Sequence, residues 1–443
     1  MAISPLLTIF TGHSMFSIKN AALAGVFTAS LMAGTALSCA QSMQSVVEAA
    51  VARHPEVLAL AANRKAIGEE LNAARGLALP GVNVEAAKGI YDDDNTHQNY
   101  REWSIKLRQP ILDGGKAWSE TTRQTERVNS ARNRVADTAN TIGLQVVQAY
   151  LEVLRARMVA DIARKNLKTI KGIVGRVDRR VKGGGATKAD LEQARSRLFA
   201  AHNSEAEASI NLMDAEALYL TITGTKPGKL GMIKLPAGNL PGSIEQAVEM
   251  AMDASPKILA MQSDAAAAEA AIGTAKSAIM PTLDLELSAN HRDRIVGTSA
   301  ANTNYKAMLV FRMSLYNGGI NAARIKEAGY RAEEAQNMVE ATRINVEREI
   351  RLAWNAYKGA PQKVGALKNQ ASANRSTLSL RLAQYDSGQS SLISILDAQN
   401  EALVSEVQAI NEDFGGRFSF YKILAASGRL LDALHVSLPA EAI

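Results

Sequence analysis

The sequence predicts an α+β membrane protein dominated by long helices, in which four β-strands per chain supply one share of a transmembrane β-barrel and the chain is internally duplicated. Three observations predict it. A repeat holds register along nearly the whole chain. A proline-free helical stretch of about 65 residues would reach roughly 100 Å, too long for one globular core. Four strands alternate in polarity, in a chain with no apolar run near the roughly 20 residues of a helical span beyond its N-terminal leader.

The repeat is read from landmarks. Ser45-Val46-Val47-Glu48-Ala49, running on through His54-Pro55-Glu56-Val57, returns as Ser243-Ile244-Glu245-Gln246-Ala247 through Ser255-Pro256-Lys257-Ile258. Pro80-Gly81-Val82-Asn83-Val84 returns 201 residues later as Pro281-Thr282-Leu283-Asp284-Leu285. Leu112-Asp113-Gly114-Gly115 returns 204 residues later as Tyr316-Asn317-Gly318-Gly319, and that offset persists at Gly184/Gly388 and Ala194/Ala398. A duplication kept this closely gives each half the same structural piece in a pseudo-symmetric object. The halves are 41–222 and 243–431, separated by a Gly-, Pro- and Lys-rich linker at 223–242 and followed by a tail at 432–443.

The composition suits long helices packed through small side chains: aromatics are 5%, charged residues 21%, and alanine is abundant. A net charge of +6 without a dense Lys/Arg run argues against nucleic-acid binding. Residues 1–40 read as an export signal. Lys19 precedes an apolar stretch from Ala21 to Leu37, and Ser38-Cys39-Ala40 forms a small-residue cleavage site before Gln41. Met15 is an alternative start. Cys39 raises a lipoprotein reading, but Ala36-Leu37-Ser38 fits a lipidation site poorly, so ordinary cleavage is expected. The mature chain would then hold no cysteine and no disulfide.

Each half has the order helix, two strands, long helix, shorter helix. In the first, Met43 to Leu79 has helical spacing, with Pro55 in its opening turns and Pro80 as its stop. Val82, Val84 and Ala86 alternate with Asn83, Glu85 and Ala87 as a strand. Asp92-Asp93-Asp94-Asn95 turns, and Trp103, Ile105, Leu107 and Gln109 return against Ser104, Lys106 and Arg108. Gly114-Gly115 supplies the backbone angles for leaving the strand. From Lys116 to Val181, Ile142, Val146, Ala149 and Val153 step by four, three and four, a coiled-coil seam. Gly183-Gly184-Gly185 breaks that helix, and a second runs back from Lys188 to Leu220. The second half repeats this with strands at Thr282–His291 and Asn304–Leu315, a helix from Ala322 to Tyr385, a turn at Gly388 and a helix from Ser391.

Four strands cannot close a barrel, for which about eight are the usual minimum. The chain therefore needs copies of itself. Three would give twelve strands and a pseudo-sixfold object, whereas two would give eight with little lumen.

The repeated order, the strand exits Leu112-Asp113-Gly114-Gly115 and Tyr316-Asn317-Gly318-Gly319, and the hairpin tips Gly184…Asp190-Leu191-Glu192-Gln193-Ala194 and Gly388…Ile395-Leu396-Asp397-Ala398-Gln399 together resemble the TolC family of outer membrane channels. The resemblance covers essentially the whole mature chain. It implies a homotrimeric barrel in the outer membrane lipid that continues as a coiled-coil α-helical tunnel across the periplasm. It also implies docking to a periplasmic adaptor protein and an inner-membrane transporter of ABC or RND type, for drug efflux or type I secretion, with no cofactor. The periplasmic end would be gated by Asp190, Tyr385 and Asp397, and Gly184, Gly185, Gly388 and Gln389 would form adaptor-docking tips. Two departures stand out: Ser394 replaces a second aspartate and Ser390 an arginine carried by some members. Threefold symmetry would turn Asp397 into a ring of three carboxylates, a site for cations; alone, it reads as an exposed helix residue.

Other features have plain readings. The aspartates at 92–94 lack the glycine and distal glutamate of a calcium loop, and Gly183–Lys188 lacks phosphate-loop spacing. Tyr91, Tyr100, Trp103 and Tyr305 could anchor one membrane interface, and Trp118 and Tyr316 the other, or all could be packing residues. The six histidines show no zinc spacing, and no nucleophile–base arrangement marks an enzyme. The competing reading is a periplasmic helical scaffold or adaptor without a barrel.

Overall fold

The computed structural model describes residues 42–93, 96–233, 235, 240–293 and 301–438, with backbone alone at 91–93, 96–98 and 100. The leader, Met15, Cys39, Asp94, Asn95, the centre of the linker and the last five residues lie outside the described residues, as do the side chains of Tyr91 and Tyr100.

The element order is α1 (Met43–Arg53), α2 (Pro55–Gly76), β1 (Gly81–Asp93), β2 (Thr96–Asp113), α3 (Lys116–Lys182) and α4 (Lys188–Thr223). It then recurs as α5 (Ile244–Ala254), α6 (Pro256–Ser277), β3 (Thr282–Asp293), β4 (Asn302–Arg312), α7 (Ile320–Asp386) and α8 (Leu392–Ala426), with α9 (Leu430–Ala433) added. The opening segment of each half is two helices where sequence periodicity suggested one. Pro55 and Pro256 have no N–H to donate and restrict the residue before them, so each starts a new helix at N1. His54 and Ser255 sit extended between the pairs, and His54 Nδ1 accepts from the Glu56 N–H.

The strands form one antiparallel sheet in the order β1-β2-β3-β4. Val82 lies opposite Leu107, Leu107 opposite Leu287, and Leu287 opposite Ala307, so alternation carries the same polarity across all four strands. One face carries Val84, Ile105, Leu285 and Leu309. The other carries Glu85, Lys106, Arg108, Asp284, Glu286 and Arg312. β4 stops at Arg312 rather than running to Leu315, because residues beyond Arg312 have no ladder partner in the chain.

At the sheet exits, Gly114 and Gly115 have φ of 68° and 82°, and Gly318 and Gly319 match them at 68° and 82°. These left-handed angles cost a side-chain-bearing residue energy, so the doubled glycine is what allows strand to become helix. Asp113 completes the first turn by accepting from the Gly115 and Ala117 N–H groups at 2.9 and 2.5 Å. α3 and α7 each run 67 residues, about 100 Å. α4 packs on α3 and α8 on α7. A central core gathers Val47, Val146, Tyr150, Val153, Phe420 and Leu430, so part of the coiled-coil seam read from sequence is core. No helix among the described residues is long and apolar enough to cross a membrane.

Candidate functional site

The tips of the two helical hairpins, α3–α4 and α7–α8, meet over a small apolar core of Ile173, Val177, Ala194, Tyr385, Leu392 and Ile395. Polar chemistry is layered on it. The Arg180 guanidinium lies 4.5 Å from the centroid of the Tyr385 ring. Arg180 also donates to the Tyr385 carbonyl at 2.6 Å and to the Gly185 carbonyl at 2.9 Å. One arginine thus ties its own hairpin turn to the end of α7. Four residues earlier, Arg176 pairs with Asp386. Both cations sit in the last turns of α3, near the negative end of its macrodipole.

Tyr385 is 3% exposed, and its hydroxyl has no partner among the described residues. Burial pushes the phenol up, the Arg180 charge opposes this, and Asp190 and Asp386 add to it. Ser390 Oγ is likewise buried without a partner among the described residues.

Asp190 has a local role. Its carboxylate accepts from the Thr187 N–H at 2.9 Å and the Thr187 hydroxyl at 2.8 Å, while Thr187 Oγ1 accepts from the Asp190 N–H, a capping box on α4. The Thr187 backbone and hydroxyl bonds, aided by the Arg180 charge, hold the carboxyl below its ordinary range. In the other hairpin Ser391 caps α8 by accepting from the Ser394 N–H, with no carboxylate. Asp397 is exposed on α8, and its carboxylate makes no hydrogen bond or ion pair among the described residues. The structure therefore brings Asp190 and Tyr385 around Arg180 and leaves Asp397 apart. Gly184 and Gly388, with φ of 75° and 81°, make the tight turns, and Gln389 N–H returns to the Gln384 carbonyl at 2.8 Å.

Arg176, Arg180 and Asp386 escaped sequence reading because the repeat hides them: their counterparts are Leu380, Gln384 and Lys182. The basic run Arg179-Arg180…Lys182 just before the glycines was the one available signal.

The polar sheet face forms a second polar constellation. Asp284, 2% exposed at its side chain, accepts from Arg108 and Arg312 at 2.7 Å each, and Arg312 also reaches Glu286 at 2.7 Å. Lys106 pairs with Glu85 at 2.9 Å. On the opposite face Trp103 stacks on His291, centroids 5.6 Å apart, and Tyr305 is exposed. Among the described residues no group of three or more His, Cys, Asp or Glu side chains is placed to hold a metal ion.

This architecture has known relatives. The chain is 27% identical over 379 residues to the outer membrane efflux protein BepC of Brucella suis biovar 1 (strain 1330), covering 81% of this chain and 82% of that one. It is 24% identical over 419 residues to the outer membrane protein TolC of Escherichia coli (strain K12), covering 90% and 85%. The fold is shared with the CmeC outer membrane channel of Campylobacter jejuni, with a TM-score of 0.79, 18% identity, and coverage of 88% of this chain and 86% of that one. Residues 46–225 and 247–413 match the family described as outer membrane efflux protein. Those two stretches take in most of both halves, and the protein accordingly belongs to the outer membrane efflux protein family, as an efflux channel of the outer membrane.

Proposed function

We propose that three copies of this chain close their sheets into a twelve-stranded barrel, that their helices continue it as a periplasmic tunnel, and that the assembly is a passive exit duct gated at the hairpin tips. The two halves act as duplicated, quasi-equivalent pieces of one ring. One observation carries this reading: a four-stranded amphipathic sheet has two free edges, and every helix leaves it from the same end. β1 begins and β2 ends there, as do β3 and β4, since Gly81 faces Arg108 and Thr282 faces both Asp113 and Arg312. Pairing like edges across a twofold axis would send the helices of two copies to opposite sides. Ring closure of β4 on the β1 of the next copy preserves antiparallel pairing and keeps all helices together. The apolar face then meets lipid and the charged face lines the lumen. An apolar sheet face of this extent disfavours a barrel-free scaffold.

The gate consists of Arg180, Tyr385 and Asp190 within each protomer, with Asp397 contributed to the axis as a cation-attracting ring. Gly184, Gly185, Gly388 and Gln389 present the tips to a periplasmic adaptor. An ABC- or RND-type inner-membrane transporter supplies energy. Planar-bilayer conductance of the purified mature protein, with oligomeric mass measured on the same sample, tests the reading. A trimer forming small cation-favouring channels supports it. A non-conducting monomer or dimer overturns it.

A further inference from the structure

We infer from the repeat which residues of one copy pair with which residues of the next along the barrel seam; the inference rests on the ring-closure reading above and fixes its register.

The two hairpins superimpose in register. Gly81 faces Arg108 in the first and Thr282 faces Arg312 in the second, and these pairs are related by the same offsets of 201 and 204 residues that relate the sequence landmarks. The junction of β2 with β3 between the halves is therefore the template for the junction of β4 with β1 between copies. Within the chain, Lys106 faces Ser288, Leu107 faces Leu287 and Arg108 faces Glu286. Carried over, Val310 faces Ala87 of the next copy, Phe311 faces its Ala86, and Arg312 faces its Glu85.

Two features of the single chain fit this register. First, β2 continues past Arg108 to Asp113 because Gln109, Leu112 and Asp113 pair with Leu285, Leu283 and Thr282. The equivalent residues 313–317 are not strand and leave Leu315 88% and Tyr316 85% exposed. Their template partners are Gly81–Val84 of the next copy, which one chain cannot supply. Second, a Cβ placed on Gly114 would lie 2.7 Å from Met280 Cβ and 2.9 Å from the Ser277 carbonyl oxygen, whereas Gly318, with the same φ, has nothing within 4 Å. The counterparts of Met280 and Ser277 are Leu79 and Gly76. Leu79 is 63% exposed in the single chain, and in the ring it seats against the Gly318 of its neighbour.

The seam carries the lumen-side charge pairing from one copy to the next. Glu85–Lys106 and Arg108–Asp284–Arg312–Glu286 are linked within a copy, and Arg312 facing the next copy's Glu85 joins one copy to another. At the seam Asn83 holds the position that Asp284 holds inside the chain, so the seam carries fewer charge pairs than the internal junction.

Cysteine cross-linking of the full chain in its membrane tests the register. The paired variants Val310→Cys/Ala87→Cys and Phe311→Cys/Ala86→Cys sample adjacent pairs, one with each cross-strand spacing. The slipped controls Val310→Cys/Glu85→Cys and Val310→Cys/Gly89→Cys are diagonal neighbours whose Cα atoms lie about 7–8 Å apart, beyond easy bridging. Single-cysteine variants control for Cys39. After oxidation with copper phenanthroline, at least one in-register pair is expected to give a covalent species of three chain masses, about fivefold more than either slipped pair. Stronger bridging in a slipped pair overturns the register. Absence of bridging in samples that are still trimeric under reducing conditions places the seam elsewhere and leaves the trimer standing. Monomeric mass in the unmodified protein removes the trimer reading itself.

Discussion

Arg180 lies 4.5 Å over the ring of Tyr385 and donates to that residue's own carbonyl at 2.6 Å, so one side chain grips the last turn of α7 by its face and by its backbone. It reaches this position from the last turn of α3, 205 residues away in sequence. At this contact cation–π attraction, a charge-assisted hydrogen bond and a buried apolar core converge.

Arg180→Ala is expected to loosen the tip. A cation–π contact contributes about 0.5–1 kcal/mol and a hydrogen bond to a charged group about 1.5–3 kcal/mol, so each protomer loses on the order of 2 kcal/mol of tip closure. Single-channel recordings should show larger mean conductance, and cells should admit more of a large antibiotic. Arg180→Lys should fall between, because an ammonium cannot span the Tyr385 and Gly185 carbonyls at once. Wild-type conductance in Arg180→Ala would remove this residue from the gate.

The Asp190 capping box makes the tip acid-sensitive. Its carboxyl is held below the ordinary value of 3.8, so its contribution is fully present above that value and is lost as pH falls through the lower folded value. Hydrogen exchange in the first turn of α4 should therefore accelerate only below about pH 4. Asp190→Asn should show fast exchange already at neutral pH. An unchanged exchange pattern in Asp190→Asn would mean that Thr187 suffices as the cap.

Asp397 is exposed and its carboxylate has no partner among the described residues, so its replacement should spare folding and change permeation. Asp397→Ala is expected to lower the preference for cations and weaken block by multivalent cations, with trimer mass and thermal stability unaltered. Combined with Asp190→Ala it should also raise leak. Unchanged selectivity in an assembled Asp397→Ala trimer would return Asp397 to the role of a solvated helix residue.

Asp284 anchors the sheet instead of the gate. Asp284→Ala leaves two arginines without their shared acceptor, and removing one partner of a buried pair costs about 3–5 kcal/mol; with both arginines half-exposed, about 2–3 kcal/mol is expected. The trimer should dissociate in detergent at lower temperature while helical content is retained. Equal heat resistance in the variant would show that solvent screens the cluster completely.

Much of this protein was legible because its signals are local and periodic. Alternation with period two fixed which faces of β1–β4 are apolar, since neighbouring side chains on a strand must point to opposite sides. The 3.6-residue spacing gave α3 and α7, and the doubled glycines gave the points where strand becomes helix. Internal repetition revealed that Gly114 and Gly318 stand in one role. The repetition breaks down at the tips, where Arg180 answers to Gln384 and Asp190 to Ser394, so the chemistry there is asymmetric. Which ions meet was decided by the tertiary structure alone. Arg108 and Arg312 converge on Asp284 from strands far apart in sequence, and Arg176 finds Asp386 across two hairpins. A single sequence records which face each residue occupies. Its partner is settled only when separate elements are brought side by side, because ion pairing depends on distances of a few ångströms that no spacing along the chain encodes.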